Sequence, residues 1–159
     1  MDFTELKLKS ELRQTLSRMN YTTLTPIQER CIPPLLAGES LIAQSRTGSG
    51  KTLAYALPLL EKIRFETFLP QALILVPTRE LALQVKQTLD NVGMYCRTRH
   101  LLLIGRQPFR FQREDLKQRP HVIIATPGRL LQHMQEGTVD LSGLSMLVID
   151  EADEMFRLG

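Results

Sequence analysis

A short apolar run, a turn that contains Gly or Pro, and a helix-like segment follow one another repeatedly along this chain of 159 residues. The runs are too short and too evenly apolar for amphipathic helices, so they predict strands buried on both faces. We predict strands near residues 41–44, 72–76, 100–104, 121–125 and 145–149, and helices near 51–63, 80–91, 109–118 and 127–135. The alternation predicts an α/β fold, a mostly parallel twisted sheet with helices on both faces.

Two further helices are predicted before the first strand. The first has one apolar face, whose residues recur at steps of four, four and three: Leu8, Leu12, Leu16 and Met19. The second begins near Pro26 and is expected to end at the Pro33–Pro34 pair, because proline interrupts helical hydrogen bonding. We expect one domain, with residues 1–40 as a helical prefix and 41–159 as the core. Because the chain stops at Gly159 just after a new helix begins, we expect it to be truncated.

The composition, 43% hydrophobic and 23% charged, is that of a globular protein. A chain of this length buries roughly two thirds of its unfolded surface, so it needs no disulfide or structural metal. The two cysteines lie far apart and the three histidines form no ligand motif with them, so we expect no zinc site. No apolar run approaches a membrane span and the N-terminus has no signal-peptide core. We expect a soluble, intracellular protein without a membrane partner, cytoplasmic or, in a eukaryote, nuclear or nucleolar.

The net charge of +3 is unevenly distributed. Between Arg97 and Arg119 there are seven basic and two acidic residues. A local basic excess is typical of a surface that faces a polyanion, although a solvated helix and loop face would have the same composition.

Residues 45–52, SRTGSGKT, match the end of a phosphate-binding Walker A loop, between a predicted strand and a predicted helix. Its glycines let backbone N–H groups curl around an anion, and the helix N-terminus adds partial positive charge. Lys51 would reach the outer phosphates, and the Thr52 hydroxyl would ligate magnesium. The candidate nucleotide-binding residues here are Thr47, Gly48, Ser49, Gly50, Lys51 and Thr52. The alternative is a glycine-rich turn without a ligand.

A carboxylate at the end of a buried strand would complete such a site, and Asp150 and Glu151 follow the apolar run 145–149. Asp150 would hold magnesium through its water shell, and Glu151 would orient and deprotonate the attacking water. We therefore predict that Lys51, Asp150 and Glu151 are catalytic residues. Thr52 and Asp150 are the predicted magnesium-binding residues. Alternatively, the acidic pair only favours the first turn of a helix.

Two predicted helices carry an arginine in the first turn, where the helix dipole disfavours a cation by about 0.3–1 kcal/mol. These are Arg79 and Arg129, and each follows a predicted strand. A bound anion, for which RNA backbone is the obvious candidate, would reverse the sign of that cost. The alternative is that they bend back to carboxylates such as Glu80. Since ligands collect beyond the carboxyl ends of parallel strands, nucleotide and RNA would share one sheet edge.

Taken in order along the chain, these sequence blocks resemble the motifs of one family. Residues 150–153 read D-E-A-D, and nearly the whole chain resembles the N-terminal RecA-like P-loop NTPase domain of a DEAD-box ATP-dependent RNA helicase. Residues 20–28, which end in TPIQ, together with Phe3 look like that family's Q motif. Residues 77–82 are similar to motif Ia, and residues 126–129 to motif Ib.

The resemblance implies that Gln28 reads the adenine edge of ATP and that Phe3 lies against the base. Residue statistics alone would make them a polar helix residue and a core anchor. It implies sequence-independent RNA contacts at three turns: Pro77, Thr78, Arg79, Gly105, Thr126, Pro127, Gly128 and Arg129. For Asp153 it implies interdomain coupling. It also implies a second RecA-like domain, absent from this chain, that supplies an arginine finger.

The chain departs from the family's pattern at a few positions. Asn20 and Arg106 stand where the family usually has glycine, Leu24 where it has proline, and Ser45 where it has alanine. Arg106 would either obstruct the close approach of RNA backbone or add a charge contact to it.

We therefore expect the ATP-binding domain of an RNA-dependent ATPase that unwinds short duplexes or remodels RNA–protein complexes, nearly inactive by itself. One alternative is a non-catalytic RNA- or partner-binding module that retains the P-loop fold. Another is a different P-loop enzyme, such as a small-molecule kinase or a transporter ATPase, which would leave Gln28, Phe3 and the two arginine turns unexplained.

Overall fold

The computed structural model describes residues 1–158; Gly159, the position of the expected truncation, lies outside the described residues. The strands are β1 Ala72–Leu75, β2 His100–Leu103, β3 Val122–Ala125 and β4 Met146–Ile149. The helices are α1 Ser10–Arg18, α2 Pro26–Leu36, α3 Lys51–Lys62, α4 Arg79–Val92, α5 Phe109–Leu116, α6 Pro127–Gln135 and α7 Ala152–Leu158, preceded by a 3-10 helix at Phe3–Glu5. The chain forms two compact units, Met1–Lys62 with Thr88–Arg97, and Ile63–Gln87 with Thr98–Gly159.

The second unit contains one sheet of four parallel strands in the order β2-β3-β1-β4. On one face, Leu73 and Leu103 pack with Ile123 and with Leu130 of α6. This architecture confirms the predicted α/β fold.

The burial of the side chains differs between the strands. In β1 and β3 almost every residue is buried, as the evenly apolar runs predicted. In β4, half-buried residues alternate with exposed ones, and Leu147 and Ile149 are 59% and 52% exposed. The prediction that every strand is buried on both faces is therefore wrong for β4 and is only partly met in β2, whose first three residues are half-buried. Within residues 1–158 each of these strands has a single partner and forms an edge of the sheet, where fewer neighbouring elements cover the side chains.

The first unit is helical, and α2 packs against α3. The apolar face predicted for the first helix is confirmed at Leu12 and Leu16, which are buried in α1. Leu8 is buried but precedes the helix, and Met19 follows the helix and is 37% exposed.

Two predictions in this unit are wrong. The segment 41–44 is not a strand, and Ile42 in it is fully exposed. A strand needs a neighbour for its backbone hydrogen bonds, and within residues 1–158 no strand pairs with this segment. Helix α2 also continues past Pro33 and Pro34 to Leu36. Their fixed φ is helical, and the Pro33 carbonyl still accepts from Ala37 N–H, so the prolines only remove donors from the last turns.

Candidate functional site

The carboxyl ends of the four strands lie level along one edge of the sheet. Leu103, Ala125, Leu75 and Ile149 are register partners in that order across the sheet. Neighbouring strands are about 4.8 Å apart, so the turns that follow them are side by side. The predicted RNA-contacting residues come from the turns after β2, β3 and β1, which are adjacent. Asp150 follows β4, at the edge beyond them.

The turn after β3 is linked to the turn after β2 by Arg129. Its Nη1 donates to the Gln107 carbonyl oxygen at 2.8 Å and to Gln112 Oε1 at 3.0 Å. Both partners are neutral, so the alternative that this arginine bends back to a carboxylate is wrong for Arg129. Thr126 has the extended backbone of an N-cap, and Pro127 is the first residue of α6.

The turn after β1 leads into α4. The Thr78 hydroxyl accepts from Leu81 N–H at 3.2 Å and so caps the helix. Arg79 is half-buried, and its Nε is buried without a hydrogen-bond partner in the described part of the chain. A buried donor without an acceptor costs free energy, so Nε is a position where an anionic ligand would be stabilised.

The D-E-A-D residues lie at the end of β4 and the start of α7. Asp150 is half-buried, and its backbone N–H donates to the Leu75 carbonyl, which extends the pairing of β4 with β1. Glu151 is exposed in a left-handed conformation with φ of 51°, and its carbonyl accepts from the N–H groups of Glu154 and Met155. Asp153 is exposed in the first turn of α7.

The phosphate loop belongs to the first unit and ends where α3 begins at Lys51. Gly48 and Gly50 have φ of +78° and +89°, a region that glycine adopts without strain. A Cβ on Gly50 would lie 2.5 Å from Gln28 Nε2, whereas one on Gly48 would touch nothing within 4 Å. The Ser45 and Ser49 hydroxyls are hydrogen-bonded at 2.7 Å. The loop thus combines left-handed glycines with a helix N-terminus, the arrangement that favours an anion.

Gln28 connects the Q-motif residues to this loop. It is 4% exposed, its Oε1 accepts from Thr25 N–H at 2.9 Å, and its Nε2 donates to the Gly50 carbonyl at 3.2 Å. Phe3 is 3% exposed and its ring is 5.8 Å from that of Tyr21. Contact of Gln28 and Phe3 with adenine remains a prediction.

Sequence reasoning missed two residues at this edge. Gln112 and His133 are buried, on α5 and α6, and are hydrogen-bonded to one another. Gln112 is also hydrogen-bonded to the turn after β2, since its Nε2 donates to the Ile104 carbonyl oxygen. No sequence motif marks them; a buried polar pair is found only once helix faces are placed.

The fold is that of a RecA-like P-loop domain. It is similar to the crystal structure of a DEAD box protein from the hyperthermophile Methanococcus jannaschii, with a TM-score of 0.95 and 35% identity, covering all of this chain and 44% of that one. It is also similar to a hypothetical ATP-dependent RNA helicase from Sulfolobus tokodaii, with a TM-score of 0.87 and 35% identity, over 96% of this chain and 44% of that one.

Residues 25–159 match the family model of the DEAD/DEAH box helicases, and the chain belongs to that family. It is 42% identical over 157 residues to the ATP-dependent RNA helicase DbpA of Bacillus subtilis, covering 99% of this chain and 33% of that protein. It is 45% identical over 158 residues to the ATP-dependent RNA helicase DeaD of Escherichia coli K12, covering 99% of this chain and 25% of that protein. The chain therefore spans a third or less of these relatives. Among residues 1–158, no helix has the length and apolar character needed to cross a bilayer.

Proposed function

We propose that this chain is the ATP-binding and RNA-contacting domain of an ATP-dependent RNA helicase. The observation that carries the proposal is the order of turns along the sheet edge, in which the three candidate RNA turns are adjacent and the D-E-A-D turn follows. Within residues 1–158 the buried Nε of Arg79 has no hydrogen-bond partner, which supports an anionic ligand at this edge. RNA backbone supplies such anions at regular spacing, and contacts to it carry no base information.

The loop 45–52 is proposed to bind the phosphates of a nucleoside triphosphate. A side chain on left-handed Gly50 would require the buried Gln28 amide to move, and the loop ends at the N-terminus of α3. In this proposal Thr47, Ser49 and the two loop glycines surround the phosphates, while Lys51 neutralises charge on the outer ones. Gln28 contacts adenine with the hydrogen-bonding capacity that its two protein bonds leave unused.

Thr52 and Asp150 offer a hydroxyl and a carboxylate, the oxygen ligands that magnesium prefers. Bound magnesium would neutralise charge on the phosphates during in-line attack by water. Glu151, exposed at the end of β4, is proposed to orient that water and accept its proton. Asp153 is proposed to couple this domain to a second RecA-like domain, whose arginine finger contributes about 10³–10⁵ in rate.

Nucleotide preference tests the adenine assignment. Binding titrations with ATP and GTP should show a clear preference for ATP, which Gln28→Ala removes while Lys51→Ala weakens both nucleotides. Equal affinity of the unmodified chain for ATP and GTP would contradict the assignment.

Turnover tests the catalytic assignment. We expect the 159-residue chain to hydrolyse ATP hardly at all, with or without RNA, because in this proposal the arginine finger comes from a second RecA-like domain. Robust RNA-stimulated hydrolysis by this chain would contradict the dependence on a second domain. In a longer form that contains such a domain, Lys51→Ala should abolish hydrolysis; unchanged RNA-related activity there would instead favour a non-catalytic module.

A further inference from the structure

Gln112 lies between two of the candidate RNA turns with all of its amide hydrogens used. It is 2% exposed, and its Nε2 donates to the Ile104 carbonyl at 2.8 Å and to Gln107 Oε1 at 3.3 Å. Its Oε1 accepts from Arg129 Nη1 at 3.0 Å and is 2.9 Å from His133 Nε2. A guanidinium can only donate, so the atom that faces it must be the oxygen. The orientation of the amide is therefore fixed by its neighbours.

The same logic fixes the state of His133, which is fully buried. Because Gln112 Oε1 accepts, His133 Nε2 must carry the hydrogen that it donates. In this tautomer Nδ1 accepts from the Thr138 hydroxyl at 2.7 Å, the shorter of two contacts of that hydroxyl, which also lies 3.2 Å from the His133 carbonyl oxygen. The ring also stacks on Phe109, with 4.1 Å between centroids. A chain of directed hydrogen bonds thus runs from Thr138 through His133 to Gln112.

This series of hydrogen bonds ends at the guanidinium group of Arg129. Nη1 is held by Gln112 Oε1 and by the Gln107 carbonyl, which belong to α5 and to the turn after β2. Within residues 1–158 the other guanidinium nitrogens make no hydrogen bond or ion pair with the protein. Nη1 is anchored by these two hydrogen bonds, and the guanidinium carbon lies 6.0 Å from the centroid of the Phe109 ring, which leaves the other N–H donors available to a ligand.

We propose that Gln112 and His133 are positioning residues for RNA binding, which hold Arg129 and the turn after β2 in one fixed arrangement for the RNA backbone. The inference rests on the proposed function, since it gives Arg129 a phosphate to bind. A long side chain fixed before binding loses less conformational freedom when the ligand arrives. Neither residue touches RNA in this proposal; both act through Arg129 and the turn.

Two substitutions of His133 separate positioning from packing. His133→Phe keeps the ring that stacks on Phe109 but removes the hydrogen donated to Gln112, whereas His133→Gln loses the ring and keeps a donor of similar reach. RNA affinity is measured by the anisotropy of a short labelled single-stranded RNA, with ATP and magnesium present, and folding by thermal unfolding of the same samples. We expect His133→Phe to weaken RNA binding about threefold to tenfold, and His133→Gln to restore most of the affinity despite weaker packing.

His121→Phe is the matched control. His121 is also fully buried, and it accepts from Arg99 N–H and donates to the Phe65 carbonyl at the opposite end of the strands. We expect it to lower the unfolding temperature without changing RNA affinity. If RNA affinity instead follows thermal stability across all variants, the positioning role is overturned.

Arg129→Ala distinguishes failure of this inference from failure of the proposed function. It should weaken RNA binding about tenfold, and adding His133→Phe to it should cause no further loss. If Arg129→Ala weakens binding but His133→Phe does not, or if their effects multiply, the inference is overturned alone. If no variant changes RNA affinity, Arg129→Ala included, the RNA contact and the inference that rests on it both fail.

The tautomer of His133 supplies a readout that needs no RNA. Long-range ¹H–¹⁵N spectra of the unmodified chain at neutral pH should show the proton on Nε2. A proton on Nδ1 would contradict the hydrogen-bond chain from which the inference starts.

Discussion

Arg106 has a backbone conformation that suits glycine. Its φ is +60°, its side chain is exposed, and it follows Gly105 in the turn after β2. Asn20, also at a position where the family usually has glycine, has φ of 58°. A left-handed conformation costs an ordinary side chain about 1–2 kcal/mol, and asparagine less. Both residues therefore carry a side chain in a backbone conformation that glycine adopts without strain.

Replacement of Arg106 by glycine should therefore not destabilise the protein. We expect Arg106→Gly to raise the free energy of unfolding by about 0.5–1 kcal/mol, because the relief of strain exceeds the entropy that glycine adds to the unfolded chain. Urea unfolding measures it. Arg106→Ala is the control, since it removes the guanidinium but keeps the strain; an equal gain there would contradict the conformational explanation.

The two glycines of the phosphate loop should differ in their tolerance of alanine. Both have positive φ, so each substitution costs about 1–2 kcal/mol in backbone strain. Gly50→Ala should cost about 1–3 kcal/mol more, because its Cβ would lie 2.5 Å from Gln28 Nε2, whereas Gly48→Ala meets no atom within 4 Å. Urea unfolding of the pair tests this difference. Equal destabilisation would mean that Gln28 does not pack against the loop in solution.

At the scale of elements, two buried histidines tie strands and helices to neighbouring loops. His121 immediately precedes β3 and is hydrogen-bonded to the loops that precede β1 and β2, while His133 connects α6 to α5. Burial lowers the pKa of both side chains, and the nearby charges of Arg99 and Arg129 lower the pKa of His121 and His133 further.

These shifts predict that stability falls in mild acid. The unfolded chain takes up protons near the ordinary histidine pKa of about 6.5, while the folded protein takes them up only at lower pH. Stability is therefore complete above about pH 6.5 and is lost as the pH drops through the folded pKa values, by at most about 1.4 kcal/mol per pH unit for each histidine. Unfolding free energies measured from about pH 7.5 to 5 should decline, and less steeply in His121→Phe. An equally steep decline in that variant would assign the effect to other groups.

At the scale of the whole molecule, the β4 edge exposes apolar surface. Leu147 and Ile149 are 59% and 52% exposed on one face of a strand that has a single partner in the described part of the chain. Unpaired strand edges with apolar side chains promote association between copies.

We expect Leu147→Lys to reduce self-association of this chain at high concentration without loss of fold, since a lysine on an edge strand disfavours strand addition. Light scattering against concentration tests this. The matched control is Leu73→Lys, on buried β1, which should unfold the protein instead. Unchanged association in folded Leu147→Lys would show that another surface is responsible.

The strand and helix segments of the sheet-bearing unit could be predicted because their causes are local. Apolar runs such as 122–125 and the turn TPGR, with proline at the first helical position, specify a strand and a helix start within a few residues. Whether a run becomes a central strand, an edge strand or no strand depends on its neighbours. The runs 72–75, 146–149 and 41–44 look alike in sequence and differ in that respect.

The sequence by itself determined the family, the α/β alternation and the residue types at the phosphate loop and the strand ends, since short-range patterning and glycine chemistry specify these. Only the tertiary structure decided the order of the turns along the sheet edge, the anchoring of Arg129 to neutral oxygens, and the buried bond between Gln112 and His133. The physical reason is that a buried polar group must find its partner across elements distant in the chain, and that partner is set by the register and packing of those elements.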